Sequence, residues 1–134
     1  MIRAYLSHPI RGLKGKDATD EDILANCQSA IVFADILRHE FSELEIYCPA
    51  EHDEFVGTAY REKILTETEI LAVDCILLSK RNILLIDTRQ NFLSVGMRFE
   101  INYAYSHHVP VLFLSDVRSA KHIINEYLED KNDE

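Results

Sequence analysis

Positive charge is scarce in this chain: 14 lysines and arginines stand against 23 aspartates and glutamates, a formal net charge of −9. A nucleic acid or an anionic membrane is not drawn to such a surface without a local basic patch, and no basic run occurs, so neither is expected as a partner. Long apolar runs are also missing, and nothing approaches the ~20 residues that cross a bilayer. The opening MIRAYLSHP lacks the apolar core and small-residue cleavage site of a signal peptide, which predicts a cytoplasmic protein. The few cysteines, Cys27, Cys48 and Cys75, have no C-x-x-C spacing and lie in apolar runs. They read as buried thiols in a reducing compartment, not as a disulfide framework or a metal site.

What remains is an ordinary globular composition, 47% hydrophobic and 28% charged, and 134 residues suffice for one domain with a real core. Residues 2–6 (IRAYL) form a β-prone run broken by Pro9 and followed by the turn-rich RGLKGKDATD. From residue 20 to about 38, Ile23, Leu24, Cys27, Ala30, Ile31, Ala34 and Leu37 recur at helical spacing, with Thr19 or Asp20 as N-cap. Residues 44–48 form a second strand ended by Pro49, an acidic loop AEHDEFVGT follows, and residues 59–71 are helix-prone. The segment VDCILLSKRNILLIDTRQ holds two apolar runs. Its first, residues 75–78, is expected as a short helix capped by Asp74; its second, residues 83–86, as a buried parallel strand ending at Asp87. A helix from Ser94 or Val95 to His107, a strand over residues 109–115, a helix over about 118–129 and a frayed EDKNDE tail complete the order. Alternating strands and helices predict an α/β fold: a doubly wound, Rossmann-like parallel sheet of four to five strands with helices on both faces.

In such a sheet ligands bind beyond the carboxyl ends of the strands, where strand order reverses. The segments to inspect are therefore SHPIRG, PAEHDE, DTRQNFLSVG and SDVRS. Arg11 and the backbone around Gly12 can donate to an anion, and so can the unpaired N–H groups at the start of the helix after Ser94. Glu100 lies six residues beyond Ser94, and two carboxylates such as Glu100 and Asp74 meeting beyond a sheet edge are equipment for breaking a glycosidic bond. The alternative is that SHPIRG is a plain turn with Arg11 on the surface and Gly12 there only for its φ, that Glu100 is solvated and that Asp74 and Ser94 are only helix caps.

Three pieces, in order, carry a resemblance to a known family: Tyr5 with Ile10-Arg11-Gly12, the run DCILLSKRNILLID, and Ser94-x-Gly96-x-x-x-Glu100 followed by Ala104. A weaker echo is Ala50-Glu51-His52. With these the chain, over about residues 1–114, resembles the nucleoside 2-deoxyribosyltransferase superfamily, and within it looks most like the 2'-deoxynucleoside 5'-monophosphate N-glycosidases. It departs at Asn82, where the family usually has an acid, and in a path to the last helix that omits the family's fifth strand.

The resemblance implies hydrolysis of a 2'-deoxynucleoside 5'-monophosphate, with Glu100 as nucleophile, Asp74 as the group managing the leaving base, and Tyr5 orienting Glu100. It places His8, Ile10, Arg11, Gly12, His52, Asp87, Ser94, Gly96 and Ser115 around the substrate. It implies a homodimer and no metal or organic cofactor. Base exchange by a transferase, or a non-catalytic nucleotide-binding module, are the alternatives. A neutral Ser94 beside Arg11 favours the phosphorylated substrate, since transferases of free nucleosides tend to carry an acid there. Glu51, Asp53 and Glu54 could accept hydrogen bonds from an exocyclic amine, without deciding which base is bound.

Overall fold

The computed structural model describes residues 1–133. Four strands, β1 (Ile2–Ser7), β2 (Leu44–Tyr47), β3 (Ile83–Asp87) and β4 (Val111–Leu114), form one sheet in the order β2-β1-β3-β4, every pair parallel. Five α-helices connect and follow them: α1 (Asp20–Glu40), α2 (Asp53–Arg61), α3 (Glu67–Ser79), α4 (Val95–Ser106) and α5 (Val117–Asn132). The chain steps outward from β1 to β2, then returns across β1 to build β3 and β4 on the other side. The reversal lies between β1 and β3, so the doubly wound expectation holds with four strands, and the crevice opens after Ser7 and Asp87.

Strand alternation sorts the buried side chains between two cores. Ala4, Leu6, Ile83 and Leu85 pack with Phe33, Ala34 and Leu37 of α1 and Ala120 and Ile124 of α5. Tyr5, Leu84 and Ile86 pack with Leu78 of α3 and Met97, Ile101 and Ala104 of α4. Helices therefore cover both faces, and β3, buried along its whole length, is the continuous apolar run that a central parallel strand requires. All three cysteines are free and buried. No helix of the described residues is long and apolar enough to cross a membrane.

Several boundaries differ from the sequence reading. Asp74 caps nothing: it lies in the interior of α3, which starts behind Thr66 with a capping box, Thr66 Oγ1 accepting from Glu69 N–H and the Glu69 carboxylate from Thr66 N–H. The helix-prone stretch 59–71 is broken between α2 and α3, where Lys63 adopts a left-handed φ of 58°. The acidic loop is a 3₁₀ turn, Pro49–His52, running into α2, with Pro49 in the first turn and Asp53 and Glu54 at the positive end of the helix dipole. The last strand is shorter than residues 109–115 because Pro110 has no N–H to give the ladder, although Val109 is buried in the core. The tail is helical through Asn132 instead of frayed, and Glu134 lies outside the described residues.

These two descriptions of α3 separate experimentally. Thr66→Ala should cost about 1 kcal/mol of unfolding free energy, the usual cost of a lost N-cap. Urea denaturation checks it, and a silent Thr66→Ala would return the helix start to Asp74.

Candidate active site

The site begins with a parity rule. Tyr5 faces the α3–α4 side of the sheet, and Ser7, two residues on in the same strand, faces that side as well. On α4 the buried residues are Met97, Glu100, Ile101 and Ala104, a single stripe at helical spacing in which the second position is a carboxylate. Ser7 Oγ donates to Glu100 Oε1 at 2.8 Å. Oε2 is shielded from solvent and closes no bond of full hydrogen-bond geometry, although the Tyr5 hydroxyl is near enough to favour the ionised form. Glu100 is 7% exposed, so the solvated alternative does not hold.

Burial pushes the Glu100 carboxyl up to about 7, Tyr5 and Ser7 restrain it, and the negative charge of Asp74 adds to the rise. Asp74, half-buried, is lifted to about 6 by desolvation. Tyr5 is held well above the ordinary tyrosine range by burial first, then by Glu100 and Asp74. The Cys75 thiol is raised to about 11 by burial and by the same two carboxylates. Glu100 and Tyr5 interact with each other and both feel the Asp74 charge, so β1, α3 and α4 bring the three into one constellation.

Beside it stands a wall of rings. Tyr5 and Tyr47 lie 5.5 Å apart by centroid, and Tyr47 stacks on His52 at 5.2 Å. The Arg81 guanidinium sits over Tyr47 at 5.2 Å. Glu51 is unavailable for a base edge, because Arg38 holds both its oxygens, at 2.6 and 3.1 Å.

The anion-binding candidates are close to the same edge. Gly12 has φ +66°, and a Cβ there would meet Asn26 Nδ2 at 2.8 Å, so the position needs glycine on two counts. Arg11 is partly exposed and faces Glu67 at 3.8 Å, while Ile10 is exposed. Ser94 caps α4, accepting from Met97 N–H at 3.2 Å, and a side chain at Gly96 would meet nothing within 4 Å, so that approach is open. A surface depression of about 660 Å³, lined by Lys63, Thr66 and Glu67 among others, touches this region through Glu67 and leaves Glu100 aside.

Three residues expected at the site stand apart from Glu100. Asp87 is buried on the α1 side and grips Arg89 through both oxygens, at 2.9 and 2.8 Å; Arg89 in turn bonds Ser29 and covers the Phe33 ring at 4.1 Å. His8 is buried near this pair, its pKa lowered to about 4 by desolvation, and neither ring nitrogen finds a partner among the described residues. Ser115 is exposed at the end of edge strand β4, sharing a 3.1 Å contact with Ser119. The sequence reading passed over Ser7, Asn26, Tyr47, Arg81 and Arg89. Ser7 alone had a signal, its two-residue offset from Tyr5.

No family model matches the chain, and no curated protein matches it in sequence. Among solved structures it is similar to a conserved protein from Enterococcus faecalis V583, with a TM-score of 0.62 and 18% identity over 84% of this chain. That likeness is one of fold. The chain spans 62% of that protein's length.

The lifted carboxylates make stability depend on pH. The folded protein keeps a proton on Glu100 that the unfolded chain releases near pH 4.5, so this contribution is complete at low pH and is lost as pH rises through about 7. Asp74 acts in the same direction up to about pH 6. His8 acts oppositely, its contribution being lost as pH falls from 6.5 to about 4. Between pH 6.5 and about 8 the Glu100 slope is the largest, and it is offset in part by His8, which the unfolded chain still half-protonates at pH 6.5. Wild-type unfolding free energy should fall by about 0.5 kcal/mol between pH 6.5 and about 8, and Glu100→Gln should abolish that fall. Urea titrations across this range decide it; an equal slope in the variant would remove Glu100 as its source.

Proposed function

We propose that the protein hydrolyses the N-glycosidic bond of a 2'-deoxynucleoside 5'-monophosphate, giving free base and deoxyribose 5-phosphate. The observation that carries the reading is the buried Glu100, held by Ser7 and paired with no cation among the described residues, beside a second lifted carboxyl, Asp74, at the point where strand order reverses. A carboxylate with little hydration is a strong nucleophile, and a neighbour whose pKa is about 6 can carry a proton near neutrality.

In this mechanism a Glu100 oxygen attacks C1' as the C1'–N bond breaks, and the bonding pair leaves on the base, which takes the proton of Asp74 and leaves it a carboxylate. Water then attacks C1' of the glycosyl-enzyme, gives its proton to the Asp74 carboxylate, and frees Glu100 with deoxyribose 5-phosphate. Ser7 and Tyr5 hold the Glu100 carboxylate in place for both steps. The Tyr47–His52 stack offers a flat surface to the base, and Arg11, the Gly12 backbone and the N-terminus of α4 offer donors to the phosphate. A homodimer in the cytoplasm belongs to the same reading: α3 and α4 leave Val73, Ile76, Val95 and Phe99 exposed beside the helices that carry the carboxylates.

Glu100→Ala should lower base release by about a thousandfold or more while nucleotide binding survives. Chromatography of free base measures it, and a variant keeping a tenth of the activity would overturn the assignment. Asp74→Asn should be slowed most for poor leaving bases.

The phosphate separates hydrolase from transferase. Arg11→Ala should cut the preference for the monophosphate over the nucleoside by about tenfold or more, the usual scale of a lost charge-assisted hydrogen bond. Ser94→Asp should reverse the preference while keeping a competent helix cap, because aspartate caps as well as serine. The measurement is kcat/KM for one deoxynucleoside with and without its 5'-phosphate; a wild-type ratio near one leaves base exchange as the better reading.

A further inference from the structure

Successive turns of α1 hold the segment after β3. Asn26, Ser29 and Phe33 stand at helical spacing: Asn26 Oδ1 accepts from Gln90 Nε2 at 3.1 Å, Ser29 accepts from Arg89, and Phe33 lies under the Arg89 guanidinium. Asn26 also reaches the other way. Its Nδ2 donates to the carbonyl of Ile10 at 3.0 Å, in the segment after β1, and the amide lies so close to Gly12 that a Cβ there would collide with it. One carboxamide thus uses its donor on one segment and its acceptor on the other.

We propose that Asn26 is the positioning residue that sets the spacing of the phosphate grip. This rests on the function proposed above and deepens it. Arg11 and Gly12 directly follow Ile10, while Ser94 and Gly96 follow Gln90 by a few residues, so the two donor sets sit on separate segments that the sheet alone does not join. The Ile10–Asn26–Gln90 chain of hydrogen bonds joins them. Donors on two independent segments must be ordered each time an anion binds, whereas donors on a braced pair are ordered already, and the difference appears as affinity for the phosphate. Asn26 itself stays outside the reacting atoms.

The test compares wild type, Asn26→Ala, Asn26→Asp and Gln90→Ala as full chains. It reads kcat/KM for one deoxynucleoside with and without its 5'-phosphate, and the calorimetric affinity for deoxyribose 5-phosphate. Asn26→Ala should lower the monophosphate-to-nucleoside ratio by about tenfold, since two hydrogen bonds are lost at a factor of about two to ten each. Asn26→Asp, which loses the donor to Ile10 and sets a negative charge beside the Gly12 backbone, should fall at least as far as Asn26→Ala, and affinity for deoxyribose 5-phosphate should follow the same order. If Asn26→Ala does not fold, Gln90→Ala decides, because it removes one bond and leaves α1 intact. A phosphate-selective wild type whose variants keep that selectivity within about twofold overturns the brace and leaves the proposed function standing. A wild type that ignores deoxyribose 5-phosphate and shows no phosphate preference overturns both.

Discussion

The single hydrogen bond from Ser7 to Glu100 joins the end of the central strand to the buried stripe of α4, and the arrangement of the site depends on it. A carboxylate at a core-facing position is costly to bury, because the charged form loses its hydration. The protein meets that cost with two hydroxyls, those of Ser7 and Tyr5, and with a pKa raised to about 7. Hydroxyl donors leave the group in an intermediate state, as a cation would not. It is neutral often enough to be tolerated in the core, and still partly ionised near neutral pH.

Asp87 shows the contrast. It too is buried at the end of a central strand, yet it faces α1 and is held by the Arg89 fork, which in turn rests on Phe33 and Ser29. Its charge is matched and both oxygens are engaged, so it serves to fix the segment after β3. Two carboxylates at one crevice thus have different capacities because they lie on opposite faces of the sheet, one beside arginine and one beside tyrosine. On the α1 side, Asn26 bonds both the Ile10 carbonyl and Gln90, so the segments after β1 and β3 share one helix as support.

Much of this architecture was legible from the sequence because it rests on local rules. The helical spacing of Cys27, Ala30, Ala34 and Leu37 marked α1, the unbroken run before Asp87 marked a central strand, and Ser94 marked the start of α4, each through backbone or short-range side-chain chemistry. Phe33, fully buried, was missing from the expected α1 stripe and Leu24 within it is exposed, since a wide apolar face does not say which part the sheet will cover. The start of α3 was misplaced for a similar reason: Asp74 and Thr66 are both acceptable caps, and only the capping box with Glu69 settles the choice.

By itself the sequence determined the order of elements, the acidic charge balance and the buried thiols, because periodicity and capping act over a few residues. Tertiary structure alone decided which carboxylate stays unmatched. Ser7 lies 93 residues from Glu100 and Asn26 lies 64 from Gln90, and such pairs exist only once the parallel sheet has set strand parity, register and the face each helix covers. Charge and burial at a site are sums over neighbours in space, and those neighbours come from strands and helices that a linear reading sees as far apart.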